Sequence, residues 1–181
     1  MNKATLRQDM SRILTSMIPE DKAQENKIIF ELREKNLFHK YKNWAIYISL
    51  SSEADTRSII DHIYKSGNKC LLPIQQGDNF FFTEITTQTQ YKKNIYGFLE
   101  PIKQEPSKHT PNAILIPGLA FTTQGARLWR WLWRYDRLLA QYPDITKIGV
   151  SYATQIIKNI PTQAHDQHMD IIVSTKLYFT S

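Results

Sequence analysis

Arg127, Arg130, Arg134 and Arg137 stand three or four residues apart, with Asp136 among them. On a helix that spacing stacks side chains along one side, and guanidiniums there offer paired N–H donors to a phosphate or carboxylate. Asp136 is the residue type that holds Mg2+ through oxygen; the alternative partner for its charge is Arg137 or Arg130. Trp129 and Trp133 are interleaved with the arginines. Indoles stack on bases while arginines pair with phosphates, and the same mixture suits lipid headgroups, so a nucleic-acid or membrane surface is a second reading. A third is an ordinary amphipathic helix with a solvated basic face.

The remaining groups able to do chemistry sit where loops are expected. Glu53 directly follows an apolar run, at the carboxyl end of a strand, and suits a substrate N–H, a metal, or the start of the next helix. His165, Asp166 and Asp170 are possible metal ligands or loop-capping groups, and Glu100 is a further carboxylate at a loop end. Lys3 and Arg7 lie with Arg12 on the polar side of an N-terminal helix. No Walker loop, HExxH, nucleophile-elbow or cysteine-rich zinc spacing is present.

The elements that would position these groups follow from periodicity. Ala113–Ile116 reads as a buried strand ended by Pro117-Gly118, with a loop over Leu119–Gly125 and a helix over Arg127–Gln141. On that helix Leu128, Trp131, Leu132, Tyr135, Leu138 and Leu139 share one arc. Helices are expected over 2–16 (Leu6, Met10, Ile13, Leu14 and Met17 inward), from Pro19 to about Glu34, and over Asp55–Lys65. Strands are expected at Trp44–Leu50, Lys69–Ile74, Phe80–Ile85 (as an antiparallel hairpin partner), Lys147–Tyr152, Asp170–Ser174 and Leu177–Phe179. Residues 86–112 read as a long ordered loop, and Ala153–Lys158 as a short helix. The alternation implies a three-layer α/β domain with a mainly parallel sheet, spanning residues 1–181 as one unit.

Composition narrows the partners. The 181 residues are 41% hydrophobic and 22% charged with net charge +6, which favours an anionic ligand, small or polymeric. The single cysteine, Cys70, excludes a disulfide framework and reads as a buried small hydrophobe. No apolar run approaches the roughly 18 residues of a membrane span, and the N-terminus is polar, so the expected location is the cytoplasm.

Several patches together resemble the 5-formyltetrahydrofolate cyclo-ligase (methenyltetrahydrofolate synthetase) family. They include Lys3…Arg7, Ser52–Thr56, Leu72-Pro73, Tyr96–Pro101, Ile116–Phe121, Gly125–Leu128, Tyr135-Asp136-Arg137, Gly149–Ala153 with Gln155, and His165-Asp166 with Asp170–Val173. The resemblance covers nearly the whole chain. It implies a compact α/β fold and ATP- and Mg2+-dependent closure of 5-formyltetrahydrofolate to 5,10-methenyltetrahydrofolate by a monomer, with a folate-type small molecule rather than nucleic acid as partner. By position it assigns catalysis to Glu53, Arg127 and Tyr135, nucleotide binding to Lys3, Arg7 and Tyr152, and Mg2+ to Asp136 and Asp166, while Arg130 and Arg134 are further candidates to hold the nucleotide's phosphates. One segment departs. The family's glycine-rich loop, roughly G-x-G-G-G-Y, is replaced by Trp129, Trp131, Leu132, Trp133 and Arg134. Glycines let backbone N–H groups approach phosphates closely, and indoles in their place are expected to fill nucleotide space and weaken Mg-ATP binding. A relative that binds folate or another anion without turnover is the corresponding alternative.

Overall fold

The computed structural model describes residues 2–17, 25–95, 97–129, 134–175 and 178–180. Its centre is a seven-stranded sheet in the order β11-β10-β9-β6-β1-β2-β3. The strands of that sheet are β1 (Asn43–Ala45), β2 (Lys69–Gln76), β3 (Asn79–Ile85), β6 (Ala113–Ile116), β9 (Thr146–Ser151), β10 (Ile171–Ser174) and β11 (Tyr178–Thr180). The five inner strands run parallel, while β3 and β11 close the two edges antiparallel. The expected three-layer arrangement with a mainly parallel sheet is what forms.

Side chains alternate across the sheet, as a period of two requires. Trp44, Cys70, Leu72, Ala113, Leu115, Ile148, Val150 and Val173 share one core with Leu6, Met10, Leu14, Ile28, Leu32, Ile59 and Ile63. Those last residues come from helices α1 (Lys3–Ser16), α2 (Glu25–Glu34) and α4 (Arg57–Lys65); the short α3 (Leu37–Lys40) adds Leu37 and Phe38. Ala45, Leu71, Ile114, Ile116 and Ile172 point the other way, into a second core with Leu138 and Leu139 of α5 (Arg134–Gln141). A buried run such as Ala113–Ile116 therefore shows no polar alternation, because both faces are covered.

Several expectations change at this level. Ile13 is exposed, since the inward stripe of α1 is Leu6, Met10 and Leu14 at steps of four. The proposed strand Trp44–Leu50 pairs only over Asn43–Ala45, and its later residues leave the ladder while remaining buried through Tyr47. Residues 86–112 carry a hairpin of β4 (Tyr91–Lys93) and β5 (Leu99–Pro101). Ala153–Gln155 forms one 3-10 turn rather than a helix reaching Lys158. Cys70 is buried as expected, and burial pushes its thiol up to about 12.

The largest correction concerns Arg127–Gln141. Arg127-Leu128 is a strand, β8, paired antiparallel with β7 (Ala120–Phe121), and helix is described only over Arg134–Gln141. The Leu119 N–H donates to the Leu128 carbonyl at 2.7 Å, which extends the pairing. Backbone donors and acceptors at 127–128 are thus committed to a neighbouring strand, and no helical face runs through Arg127. The basic stripe loses its first member. Arg130, Trp131, Leu132 and Trp133 lie outside the described residues, as do the side chain of Arg134 and the start of the helix expected from Pro19.

Candidate active site

The β7–β8 hairpin, the N-terminal end of α1, the first turn of α5 and the loop 163–167 converge on one cavity of 540 Å³. Lys3, Arg7, Arg127, Trp129, Asp136, Arg137, Gln163, His165, Asp166 and Gln167 contribute to its wall. Of the residues singled out in the sequence, Lys3, Arg7, Arg127, Trp129, Asp136, Arg137, His165 and Asp166 are therefore brought together, Lys3 and Asp166 from positions 163 apart.

Arg127 is the most enclosed cation there, with its side chain only 2% exposed. Its Nη2 donates to Asp136 Oδ1 at 2.7 Å. Its guanidinium lies over the Trp129 ring at 5.2 Å from the centroid and over the Tyr135 ring at 5.7 Å. Those two rings meet edge to face at 5.1 Å. Burial pulls the guanidinium below its ordinary value, Asp136 opposes that shift, and the group remains a cation. The sequence offers Arg137 or Arg130 as the partner of Asp136. Instead Arg137 reaches Asp78 at 3.0 Å, since adjacent helical residues diverge.

The second ion pair is Lys3 Nζ with Asp166 Oδ2 at 2.5 Å. The Gln163 N–H donates to the same oxygen at 2.7 Å. Burial alone would raise the Asp166 carboxyl. The bonds from Lys3 and Gln163, with the charges of Lys3 and His165, outweigh burial and hold it below the usual carboxylate range. Arg7 Nε donates to the Trp129 carbonyl at 2.8 Å and ties α1 to the end of β8. The loop carrying Asp166 is anchored twice. The Met169 N–H donates to the Gly125 carbonyl at 2.8 Å, and the Gln167 N–H reaches Asp136 Oδ1 at 3.4 Å.

Glu53, Tyr152 and Tyr135 are placed differently, and none of them is part of the cavity wall. Glu53 Oε2 accepts from the Leu50 N–H at 2.9 Å, closing the turn after β1. The Tyr152 hydroxyl donates to the Glu53 carbonyl at 3.1 Å, and the Tyr47 hydroxyl to the Ala54 carbonyl at 2.9 Å. Burial, reinforced by Glu53, Tyr135, Tyr152 and Asp55, pushes the Tyr47 phenol well above its ordinary value. These contacts build a second polar cluster at the carboxyl ends of β1 and β9. Tyr135, through its electrostatic contact with Tyr47 and its ring contact with Trp129, stands between the two clusters. Thr122 Oγ1 accepts the Ala126 N–H at 3.1 Å and serves the β7–β8 turn.

The cavity wall can receive an oxyanion. Arg127 Nη1 and Trp129 Nε1 are both buried with no hydrogen-bond partner among the described residues, and an enclosed donor without an acceptor is costly. Lys3, Arg7, Arg127 and Arg137 outnumber Asp136 and Asp166. Among the described residues no three His, Cys, Asp or Glu side chains cluster as metal ligands. A nucleotide-bound Mg2+ needs only one or two carboxylates besides phosphate oxygens and water, which Asp136 and Asp166 can provide. Arg137, a member of the basic stripe read from the sequence, lines this wall too; Gln163 and Gln167 also do so, and the glutamines carry no local signal.

The chain matches the 5-formyltetrahydrofolate cyclo-ligase family over residues 1–175. The chain belongs to that family. It is similar to a probable 5-formyltetrahydrofolate cyclo-ligase of Caenorhabditis elegans, 28% identical over 191 residues, with 94% of this chain and 91% of that protein covered. It is also similar to the 5-formyltetrahydrofolate cyclo-ligase of Mus musculus, at 24% identity over 94% of this chain and 92% of the relative. Among solved structures, 5,10-methenyltetrahydrofolate synthetase of Aquifex aeolicus superposes with a TM-score of 0.85 at 26% identity, covering 99% of this chain and 93% of that one. The cyclo-ligase resemblance read from dispersed patches thus extends to the fold. Among the described residues no helix is long and apolar enough to cross a membrane.

Proposed function

We propose that this cyclo-ligase family member converts 5-formyltetrahydrofolate to 5,10-methenyltetrahydrofolate with Mg-ATP, acting as a cytoplasmic, single-domain monomer. The observation that carries the reading is the cavity that joins Lys3, Arg7 and Arg127 to Asp136 and Asp166. Phosphoryl transfer depends chiefly on positioning and charge neutralisation, and cations with one or two carboxylates are the residue types it needs.

In this reading the formyl oxygen of the substrate attacks the γ-phosphorus and ADP departs. The neighbouring folate nitrogen then attacks the activated formyl carbon, loses its proton, and inorganic phosphate leaves. Arg127 faces the phosphate chain, held from behind by Asp136. Lys3 and Arg7 add charge from α1. Asp136 and Asp166 would hold Mg2+, which would supply charge neutralisation to the phosphate chain. Asp166 enters that role by sharing or releasing Lys3. Glu53 contacts the folate near the formyl group in this reading, and Tyr135 lies between folate and nucleotide. Arg130, Arg134 and Tyr152 complete the proposed nucleotide contacts.

Incubation with 5-formyltetrahydrofolate, Mg2+ and ATP tests this directly. The methenyl product is followed by its near-ultraviolet absorbance, with one ADP and one phosphate expected per turnover. Product that forms equally without ATP, or none with both substrates bound, contradicts the reading. The Trp and Arg segment as a nucleic-acid surface is disfavoured because Arg127 is buried in a strand.

A further inference from the structure

Trp129 occupies a glycine position of the family loop and lines the cavity. Its ring packs on the Arg127 guanidinium and meets the edge of Tyr135. Its backbone carbonyl is fixed by Arg7. Arg127 is thereby restrained on three sides, by Trp129, Tyr135 and Asp136. One terminal nitrogen of the guanidinium is bonded to Asp136 and the other, Nη1, is left without a partner among the described residues. The Trp129 Nε1 is the second enclosed donor in the same condition. Two residues of one wall, in contact through guanidinium and ring, thus each keep a buried N–H unpaired, at a cost that an incoming acceptor would remove.

We propose, on the reading of the cavity as the nucleotide site, that Trp129 is a specificity-determining residue for the phosphate chain. Its indole N–H donates to a phosphate oxygen, and its ring holds Arg127 so that Nη1 donates beside it. In the family loop, glycine would serve such an oxygen by letting backbone N–H groups come close. Here a side-chain N–H and a restrained guanidinium take over that service. Trp129 thus strengthens nucleotide binding, the opposite of the space-filling effect expected for an indole in this loop.

Titration calorimetry on the full chain with Mg2+ and the β,γ-imido analogue of ATP separates the possibilities, using Trp129→Phe and Trp129→Gly. Trp129→Phe keeps an aromatic ring and loses only the donor. It is expected to bind the analogue roughly 10-fold more weakly, the size of one lost hydrogen bond to a charged acceptor. Its affinity for 5-formyltetrahydrofolate should be unchanged. Its thermal midpoint without nucleotide should equal or exceed that of the parent, because an unsatisfied donor has been removed. Trp129→Gly loses ring and donor together and should bind more weakly still. Parent-like affinity in Trp129→Phe, or tighter binding in Trp129→Gly, overturns the proposal while leaving the nucleotide reading intact. A loss of stability and of folate affinity in Trp129→Phe also overturns it, by showing a packing role. Failure of the parent chain to bind the analogue removes both.

Discussion

Arg127 and Asp136 are coupled tightly enough that removing either has a consequence for the fold as well as the chemistry. The guanidinium is nearly sealed from water and Asp136 is its one described anionic partner within bonding distance. Asp136→Ala therefore strands a buried cation, and breaking such a pair costs about 3 kcal/mol or more. Chemical denaturation is expected to show that loss, together with at least a 100-fold fall in kcat/KM. An Asp136→Ala protein as stable as the parent would mean that the pair is solvated in solution. The Lys3–Asp166 pair behaves differently, since both side chains are partly exposed. The folded-state carboxyl of Asp166 is depressed below its ordinary value near 4. Its contribution to stability is therefore present above that ordinary value and is lost as pH falls through the depressed one. Asp166→Asn should narrow the stability gap between pH 7 and pH 3 relative to the parent, and denaturation midpoints at the two pH values measure it. An unchanged gap would remove Asp166 from the acid response.

At the scale of elements, the site depends on how the β7–β8 turn receives the Asp166 loop. Gly125 has φ of 84°, and a Cβ built on it would lie 2.3 Å from the Met169 carbonyl oxygen. Met169 is buried at 1% and its backbone bonds to Gly125, so neither side can yield cheaply. Gly125→Ala combines left-handed strain with a backbone clash. It is expected to lower stability by about 2 kcal/mol and to displace the loop bearing Gln163, Asp166 and Gln167. Amide exchange should quicken at residues 163–169 ahead of the sheet, and Mg-ATP affinity should fall more than folate affinity. Parent-like exchange in that loop would show that the contact can be rebuilt without it. The same hairpin is why the helix expected from Arg127 does not form there. Leu128, Tyr135, Leu138 and Leu139 satisfy helical periodicity, but a two-residue strand such as Arg127-Leu128 is too short to display a period of its own. The partner that holds it, Ala120-Phe121, is decided by tertiary pairing. The longer elements were legible for the converse reason. Lys69–Gln76 holds the buried run Cys70–Leu72 and Asn79–Ile85 the aromatic run Phe80–Phe82, each long enough to be recognised, and α1 repeats Leu6, Met10 and Leu14 at steps of four.

Across the whole molecule, the site is assembled from both ends of the chain. Lys3 and Arg7 open the sequence and Gln163 to Gln167 lie near its close. Their meeting follows from α1 packing on one core of the sheet while β9 and β10 carry the chain back beside it. Residue types were therefore readable in advance, as with Lys3, Arg127, Asp136 and Asp166. Their pairing was not, because Lys3–Asp166 and Arg127–Asp136 arise from sheet order and hairpin geometry rather than spacing. A ligand in the cavity should in turn act on both ends together. Binding at a free concentration of about 100 times Kd stabilises the folded chain by about 2.7 kcal/mol, and only contacts present in the folded state contribute. Amide exchange with and without Mg-ATP is expected to show added protection at residues 3–7 and 163–167 simultaneously, with the β2–β3 edge responding only to global stability. Protection confined to 163–167 would detach α1 from the nucleotide, and Lys3 and Arg7 would then be residues that brace the wall rather than touch phosphate. Protection at both ends that disappears at 3–7 alone in Lys3→Ala would place the Lys3 ammonium at the junction between the ligand and the Asp166 loop.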